Sequence, residues 1–531
     1  MAKQGLANIH ARLLAAVALS SLILNAQPAV AVVTVVGDVT PDPLVDDVDV
    51  VVGNTAYGLV QVDGGSTLSS TSLRIGDGQP SATGRVEVSG VGSKWTVTGS
   101  VDLATPGLGF IDISAGGVLS AAAVHGLYGP AGYAEVNVTG DGSMLEITNQ
   151  LDLSRGGLLD LNLSDRAIFN APQAYVRFWS GARVVLDDAF LRAGDLELHG
   201  RLSGSGVVTT LQNNIEIRGT IDVGPLDDMR FTSDLGNVGL IEIEHGALEV
   251  SSISNAQSGY VTLQSGILRT MQGDNGQPAF INHAHLAAIG GTSDLYSDLL
   301  NLSGTLSVVN NSLMRIHGDV TNTSGNISIA PDSKALVLGD FHFNGGTLHA
   351  DLDGDGKSPF GELEVVGDVH LGGSMRLEAA SLSAFSAGDQ FALVSATGEI
   401  SGGVQLHEMP DLGDGLAWKL KRTANTLSLS VGLPGDFNGD NQVNLADYVV
   451  WRNSLGSYGN FLAADEAGAS GMPDGFVDQQ DYELWKANFG RTADASIASA
   501  SSAVPEPGAF AILACGVLLA VSTGTFTRYS K

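Results

Sequence analysis

The chain reads GRVEVSGVGSKWTVTGSVDLATPGLGFIDISAGGVLSA at residues 84–121 and AEVNVTGDGSMLEITNQLDLSRGGLLDLNLSDRAIFNA at residues 134–171, and the two segments align without a gap at a shift of fifty residues. Val86 thereby falls on Val136, and apolar residues alternate with polar ones in both segments. Such alternation is typical of half-buried strands, and glycines supply the backbone freedom that tight corners need. Short strands recurring at a fixed interval predict a solenoid, in which fifty residues form about two coils.

The alternation continues through most of the chain. Leu59–Ser69 is a weaker copy of the same phrase, and from Val184 to about Val431 alternating runs follow at looser spacing. A single coil cannot shield its apolar face from water. We therefore predict a mainly β chain whose coils stack into a parallel β-helix with loops of variable length. Ser381–Val431 is predicted to close its end. The alternative is an open β-sandwich, in which the similarity is a coincidence.

Composition excludes some partners and sites. The 531 residues include 57 Asp and Glu against 26 Lys and Arg, a formal net charge of −31. This charge argues against nucleic acid as a partner, because phosphates attract basic surfaces. The single cysteine, Cys515, permits neither an internal disulfide nor a zinc site of cysteines.

The first 31 residues are predicted to be an export signal. Basic residues precede an apolar run at Leu13–Leu24, and Ala29–Ala31 offers a small-x-small cleavage site. The alternatives are cleavage after Ala26 and a buried helix. The acidic segment at residues 32–52 is expected to cap the first coil, because an open solenoid end is a bare sheet edge.

The strongest chemical signal begins at Asp436, where DFNGDNQVNLAD follows the pattern of a calcium loop. Oxygen-bearing side chains stand at loop positions 1, 3, 5, 9 and 12, and a backbone carbonyl is available at position 7. The predicted ligands are Asp436, Asn438, Asp440, Asn444 and Asp447, with Gln442 at position 7. Calcium takes about six to eight oxygen ligands, which a short loop can wrap around it. The alternative is an Asx-rich turn without metal.

A second, less regular loop follows. Its predicted ligands are Asp474, Asp478 and Asp481. Counting back along the chain puts Ser470 at position 1 and Met472, whose thioether is no calcium ligand, at position 3. Asp465 is the alternative first ligand if the loop bulges at Ala467–Pro473.

Each loop leads into a predicted helix, and the helical phrases ADYVVWRNSLG and QDYELWKANFG are near copies. In the first phrase a helical period fits Leu445, Tyr448, Val449, Arg452 and Leu455, and Gly456 stands where a helix C-cap belongs. With their loops, these phrases resemble a type I dockerin module of a diverged form, over roughly residues 435–491. The resemblance implies one calcium ion in each loop and a cohesin domain as partner of the paired helices. An alternative role for the tyrosines and tryptophans of both phrases is to pack the helices together.

The chain ends in a candidate sorting signal that begins with Pro505, Glu506 and Pro507. An apolar run and two basic residues, Arg528 and Lys531, follow. This order resembles a PEP-CTERM signal, which implies processing by a membrane enzyme of the exosortase type. Residues 509–526 approach the length of about 20 residues that spans a bilayer, with the basic end on the cytoplasmic side. The alternative is a plain tail anchor.

The opening repeat also resembles a known repeat. Val86–Trp95 fits a V-x-V-x-G-x-G-S-x-W phrase and Ser114–Gly117 an S-x-G-G phrase, as in the autotransporter-type repeats that accompany PEP-CTERM signals. The resemblance covers about Leu59–Ala171 and implies a right-handed β-helix.

Catalysis is the serious alternative, because parallel β-helices include polysaccharide lyases and hydrolases. It requires acids, or a basic residue beside calcium, clustered on one face. The candidates are Asp187–Asp188, Asp227–Asp228 and Asp351–Asp355, all beside predicted turns where acids are usually solvated. The last group also fits an EF-hand loop, but predicted strands flank it, so we interpret it as an acidic corner. His283 and His285 stand two apart on a predicted strand. We predict no enzyme.

These features divide the chain into successive parts. They are an export signal (1–31), a β-helix with fifty-residue repeats (32–183), its continuation and closing cap (184–432), a dockerin-like calcium-binding domain (433–491), an Ala/Ser linker (492–503) and a sorting signal with a transmembrane helix (504–531). The predicted function is non-catalytic adhesion or envelope structure at the outer surface, with a polysaccharide or a cohesin-like domain as partner. The alternative is a surface-held enzyme that degrades polysaccharide.

Overall fold

The computed structural model describes residues 32–126, 132–153, 156–212, 215–271, 279–352, 361–379, 385–407, 409, 411–413, 415–467 and 473–493. The predicted export signal, nearly all of the linker, the sorting signal and most of the acidic corner at Asp351–Asp355 lie outside these residues. Within them, no helix has the length and apolar character needed to cross a membrane.

The fifty-residue similarity corresponds to two coils of a parallel β-solenoid of the right-handed type. Val86, Ile111, Val136 and Leu161 are successive partners on adjacent parallel strands, each 25 residues after the one before. All four side chains are buried. The prediction of stacked coils is therefore confirmed, with Ile111 on the rung between Val86 and Val136, and the open β-sandwich is excluded.

In the first coils most strands pair with the strand two positions later, because one strand of each coil is long and crosses a corner where its register shifts. In chain order the strands are β1 (Val32–Gly37), β2 (Val39–Thr40), β3 (Val48–Val52), β4 (Tyr57–Asp63), β5 (Thr67–Ile75), β6 (Thr83–Ser89), β7 (Lys94–Leu103), β8 (Leu108–Ser114), β9 (Val118–Gly126), β10 (Tyr133–Thr139), β11 (Met144–Leu153), β12 (Leu158–Ser164), β13 (Ile168–Phe178), β14 (Ala182–Leu198) and β15 (Arg201–Thr210).

Further along, separate strands form the sides of most coils, and each typically pairs with the third strand after it. These strands are β16 (Ile215–Ile217), β17 (Thr220–Val223), β18 (Asp228–Phe231), β19 (Leu235–Asn237), β20 (Leu240–Glu244), β21 (Ala247–Val250), β22 (Ile253–Asn255), β23 (Tyr260–Gln264), β24 (Ile267–Thr270), β25 (Phe280–Asn282), β26 (His285–Tyr296), β27 (Leu299–Asn301), β28 (Thr305–Ile316), β29 (Val320–Asn322), β30 (Asn326–Ile329), β31 (Lys334–Val337), β32 (Phe341–Phe343), β33 (Thr347–Leu352), β34 (Glu362–Val365), β35 (Val369–Leu371), β36 (Ser374–Ala379), β37 (Gln390–Ala396), β38 (Ile400–Gly402), β39 (Gln405–Leu406), β40 (Ala417–Arg422) and β41 (Thr426–Gly432). The stacked strands form three faces of the solenoid. Face 1 contains β6, β8, β10 and β12. Face 2 contains β18, β21 and β24, and face 3 contains β16, β19 and β22.

The interior changes character along the solenoid. Aliphatic columns fill the early coils, whereas five consecutive later coils each bury an asparagine on face 3. This asparagine ladder consists of Asn237, Asn255, Asn282, Asn301 and Asn322. Each of the first four donates from Nδ2 to the Oδ1 of the next at 2.6–2.9 Å. Because buried amides are tolerated only when they are hydrogen-bonded, this ladder lets polar side chains occupy the core.

A column of aspartates holds the corner between faces 2 and 3 in later coils. The column consists of Asp298, Asp319, Asp340 and Asp368. Each carboxylate accepts a hydrogen bond from a backbone N–H of the next coil, at 2.8–2.9 Å. The preceding residue must be small, because a Cβ on Gly339 would lie 2.2 Å from Asp319 Oδ1. The Gly-Asp pairs at residues 318–319, 339–340 and 367–368 thus mark one structural corner.

Antiparallel strands lie at both ends of the solenoid. At the N-terminal end β1 pairs antiparallel with β4, and β2 with β3, as expected of a cap. At the other end β37 and β40 both pair antiparallel with β41. Trp418 packs edge-on against Phe385 there, with ring centroids 5.2 Å apart.

Two helices follow, namely α1 (Leu445–Ser454) and α2 (Gln479–Asn488). Of the residues in the predicted helical period, Leu445, Val449 and Leu455 are 66%, 43% and 52% exposed, so the aliphatic ones do not pack against α2. Tyr448 and Trp451 instead meet aromatic rings of α2, at centroid distances of 5.3 and 4.9 Å. The alternative in which aromatic residues pack the helices together is thereby confirmed, since rings offer more contact area than the aliphatic residues beside them.

Candidate metal-binding module

The first predicted calcium loop is wound around two carboxylates. Asp436, at position 1, accepts hydrogen bonds from the backbone N–H groups of residues 439–441 at 2.8–3.1 Å. Asp447, at position 12, accepts from the N–H groups of Asn438 and Asn444 at 3.0 and 2.8 Å. These contacts fix the backbone of the loop and hold both acids at its centre.

The turn at position 6 is left-handed in both loops. Asn441 has a φ of +65°, a conformation that asparagine adopts more readily than other residues with a Cβ. Gly475 holds the same position of the second loop, with a φ of +87°. Asn441 therefore takes the place of the glycine that is usual at this position of a calcium loop.

In the second loop Asp465 takes the place that Asp436 has in the first, as the acceptor of backbone hydrogen bonds. The Asp465 carboxylate accepts from the backbone N–H groups of Asp474 and Gly475 at 3.0 and 2.9 Å. The backbone contacts therefore place Asp465 at position 1 of the second loop. This is the position that Asp465 takes in the alternative with a bulged loop. Ser470, which is position 1 by simple counting, lies outside the described residues.

Asp481 completes the second loop as Asp447 completes the first. It accepts hydrogen bonds from the N–H groups of Glu466, Ala467 and Asp478 at 2.8–2.9 Å. Ala467 thus stands at position 3, where it supplies no side-chain oxygen. The second loop offers fewer side-chain ligands than the first.

The two halves are joined by reciprocal hydrogen bonds. Trp451 Nε1 on α1 donates to the carbonyl of Asp478 at 2.7 Å, and Trp485 Nε1 on α2 donates to the carbonyl of Asn444 at 2.9 Å. Asn444 and Asp478 are the N-caps of α1 and α2, and each forms a capping box. Each helix is thereby anchored to the loop that starts the other, so the loops cannot rearrange independently.

Desolvated negative charge collects in both loops. Asp436, Asp447, Asp465 and Asp481 are at most 7% exposed. Burial raises the pKa of Asp436 and of Asp481, and it raises the pKa of Asp465 to about 6. Burying a carboxylate is unfavourable unless a partner offsets its charge, so a cation at this place would stabilise the module.

The donor set fits calcium by its chemistry. Carboxylates, the amide oxygens of Asn438 and Asn444 and the carbonyl of Gln442 are all oxygen ligands, which hard cations prefer. In the described residues, no three His, Cys, Asp or Glu side chains converge closely enough to hold a metal ion. Asn438 Nδ2 instead donates to Asp440 Oδ2 at 3.0 Å. Cation binding would therefore require these side chains to turn toward a common point.

The closing hairpin of the solenoid reaches into this module through Lys419 on β40. Lys419 Nζ lies 2.5 Å from Glu466 Oε1, and it also donates to the carbonyl of Asp436. Glu466 Oε2 accepts from the N–H of Gly435 at 2.8 Å. The ammonium group of Lys419 thus joins the first residue of one loop to the neighbour of Asp465 in the other.

Replacement of Lys419 by methionine is expected to loosen the module from the solenoid. The change leaves Glu466 without its cation in a largely buried place, at a cost of about 1–3 kcal/mol. Limited proteolysis should then cut faster at the connection after β41. Lys421→Met is the matched control, since Lys421 is exposed on the same strand. Equal cleavage rates in both variants would contradict the role given to Lys419.

Among the described residues, the acids Asp187 and Asp227 lie at the corner between faces 1 and 2, two coils apart. Asp187 and Asp188 are exposed, and Asp227 accepts a hydrogen bond from a backbone N–H of its own turn at 3.0 Å. His283 lies in the turn between β25 and β26, whereas His285 begins β26. The prediction that both histidines share a strand is therefore wrong, because the coil turns a corner between them.

Sequence reasoning missed a charged cluster on face 3 around Glu197. Its carboxylate accepts hydrogen bonds from Tyr175, Arg177 and His199, and Arg218 Nε lies 3.3 Å away. Burial alone would raise the pKa of Glu197, but these hydrogen bonds lower it to about 2. The partners come from successive coils, so no local motif shows the cluster.

Glu197→Gln is expected to weaken the solenoid near β14 in a pH-dependent way. Because the pKa of Glu197 is lowered on folding, its charge stabilises the fold above its ordinary pKa, by on the order of 3 kcal/mol. That contribution disappears as the pH falls from about 5 to about 2. Hydrogen exchange over β14 should therefore differ between wild type and variant at neutral pH and converge in acid. A difference that persists unchanged in acid would refute this.

No protein-family model matches the chain, and no curated protein matches it.

Proposed function

We propose that the chain is an exported, non-catalytic surface protein in which the solenoid is a rigid binding scaffold for adhesion or envelope structure. The observation that supports this most is the uninterrupted stack of in-register coils, which builds three long faces of outward side chains. Of the acids considered for catalysis, Asp187 and Asp188 lie within β14, and Asp227 and Asp228 lie where β18 begins, with the coil of β15 between the two pairs. A surface-held enzyme that degrades polysaccharide is the alternative.

Display depends on the C-terminal residues in this proposal. Pro505, Glu506 and Pro507 with the apolar run behind them direct the chain to a processing enzyme of the exosortase type, which holds it at the envelope at least transiently. An antibody against the solenoid should label intact host cells that make the full chain. A chain that ends at residue 503 should leave the cells unlabelled and accumulate in the medium. Equal labelling of both would overturn the proposed display.

The dockerin-like module binds calcium in this proposal and offers a surface to a cohesin-like domain. Leu445 and Val449 support this, because they leave apolar side chains exposed on α1. A purified cohesin domain should bind the full chain with calcium present and lose it with chelator. Leu445→Asp should abolish binding. If that variant retains the cohesin domain as well as the wild type does, the exposed face of α1 is not the binding surface.

A further inference from the structure

A shallow cleft runs along the corner between faces 3 and 1 in the middle of the solenoid. We name it the arginine cleft, and the residues that matter here are Tyr133, Asp160, Arg183, His199 and Arg201. Its volume is about 460 Å³, and it is open to solvent along its length. It extends from the coil of β10 to the coil of β17, which is four strand spacings, or about 19 Å. These dimensions suit a segment of a linear polymer better than a compact small molecule.

The floor of the cleft is a column of glycines, Gly181, Gly200 and Gly219. A Cβ on Gly200 would lie 2.1 Å from the carbonyl oxygen of Ala182, and one on Gly219 would lie 2.0 Å from that of Gly200. The corners at Gly200 and Gly219 must therefore remain without side chains. The result is a smooth floor on which a polymer can lie along the stack of coils.

Positive charge is concentrated in one column of the cleft. Arg183 is exposed, and it pairs in register with Asp160 on one side and with Arg201 on the other. Like charges directly opposite each other across parallel strands repel. Arg201 has Asp222 as an ion-pair partner, whereas no hydrogen bond or ion pair joins Arg183 to another residue in the described part of the chain. On a chain with a net charge of −31, this leaves one guanidinium available to an anion.

The walls add rings and fixed polar groups. The Tyr133 hydroxyl donates to Asp160 Oδ2 at 2.9 Å, which holds the phenol ring in place. The ring of His199 stacks on Trp179 with centroids 4.9 Å apart. Rings held in this way present an apolar face with a polar edge, which suits the mixed surface of a sugar ring.

We infer that the arginine cleft binds a linear polysaccharide that carries carboxylates, and that Arg183 is its anchor. A guanidinium presents two parallel N–H groups that match the two oxygens of a carboxylate, a geometry that an ammonium group does not offer. The glycine floor admits the backbone of the polymer, and the rings flank it. This inference rests on the proposed role as a binding scaffold and supplies the ligand class that the proposal lacks.

Polygalacturonate is the probe, and its carboxyl-reduced form is the matched neutral polymer. Binding to the full chain is measured by affinity electrophoresis and calorimetry with chelator present, so that calcium cannot bridge polymer and protein. Polygalacturonate should bind and the reduced polymer should not. Arg183→Ala should lower the affinity by about tenfold or more, because a charged hydrogen-bonded pair is lost. Arg183→Lys should restore only part of it.

Arg192→Ala is the matched control. Arg192 is exposed on the same strand, β14, but lies on face 2, away from the cleft. The Arg192→Ala variant should bind polygalacturonate as the wild type does. Three results would overturn the inference. The neutral polymer could bind as well as polygalacturonate, Arg183→Ala and Arg192→Ala could lose the same affinity, or polygalacturonate could fail to bind the wild type. Since the Arg183 variants keep residues 504–531, surface labelling is unaffected by them, so a failure of binding is distinguishable from a failure of display.

Discussion

Calcium added to the full chain is expected to release measurable heat and to raise the unfolding midpoint of the module that contains α1 and α2. The physical reason is that Asp436 and Asp447 are both buried in the first loop, where a calcium ion would offset the cost of burying their carboxylates. A ligand that binds only the folded state stabilises it by about 2.7 kcal/mol at a hundred times its Kd. Calorimetry and hydrogen exchange over both helices measure the two effects.

Variants separate the two loops. Asp436→Ala should remove the response of the first loop, and Asp465→Ala should remove the weaker response of the second, whose position 3 is Ala467. Glu483→Ala is the control, because Glu483 is exposed on α2 and contacts Lys486 rather than a loop. No heat and no change in exchange at millimolar calcium would exclude the proposed metal site. A response in the double variant Asp436→Ala/Asp465→Ala would place the metal elsewhere.

Asn282→Ala is expected to give the largest loss of stability of any single change in the solenoid interior. Asn282 accepts from Asn255 and donates to Asn301, both at 2.8 Å. Its removal leaves a buried donor and a buried acceptor unsatisfied and opens a cavity, which together cost about 3–5 kcal/mol. In a solenoid each coil contacts only its neighbours, so the loss should appear as faster hydrogen exchange in β22, β25 and β27.

The chain contains its own control for this prediction. Asn162 donates to Asn137 Oδ1 at 2.9 Å, in the same rung-to-rung arrangement, but on the outward side of face 1. Water can replace that contact, so Asn162→Ala should cost no more than about 1 kcal/mol. Comparable losses of stability in Asn162→Ala and Asn282→Ala would show that burial does not determine how much the ladder stabilises the solenoid.

The coil length was predictable because the chain repeats itself. A column such as Val86, Ile111 and Val136 needs apolar residues at a constant interval, and the constant interval is visible without any structure. The asparagine ladder was missed although a signal exists. Three-residue strands that end in asparagine, as LGN, ISN, FIN, LLN and VTN, recur at intervals of 18 to 27 residues. Asparagine near a turn is ordinarily read as a turn residue, and only the register shows that these are buried.

The candidate metal site was predictable in its first loop and not in its second. Spacing along the chain identifies Asp436 to Asp447, because that loop has the regular length. The second loop carries an insertion, so counting selects Ser470, whereas the backbone contacts select Asp465. Lys419 and Arg183 could not be identified from spacing. Each acquires its role from residues on other coils or in the module, and this information lies in the three-dimensional register.

The solenoid is expected to hold a polysaccharide without cutting it, and product analysis after prolonged incubation is the measurement that decides this. The full chain is incubated with polygalacturonate, with calcium and in a second series with chelator. New reducing ends report hydrolysis, and ultraviolet absorbance of unsaturated uronates reports lyase action. The polymer should stay intact, remain bound to the wild type and be released by Arg183→Ala. Product that accumulates with the wild type, and is absent with Asp160→Asn, would contradict it.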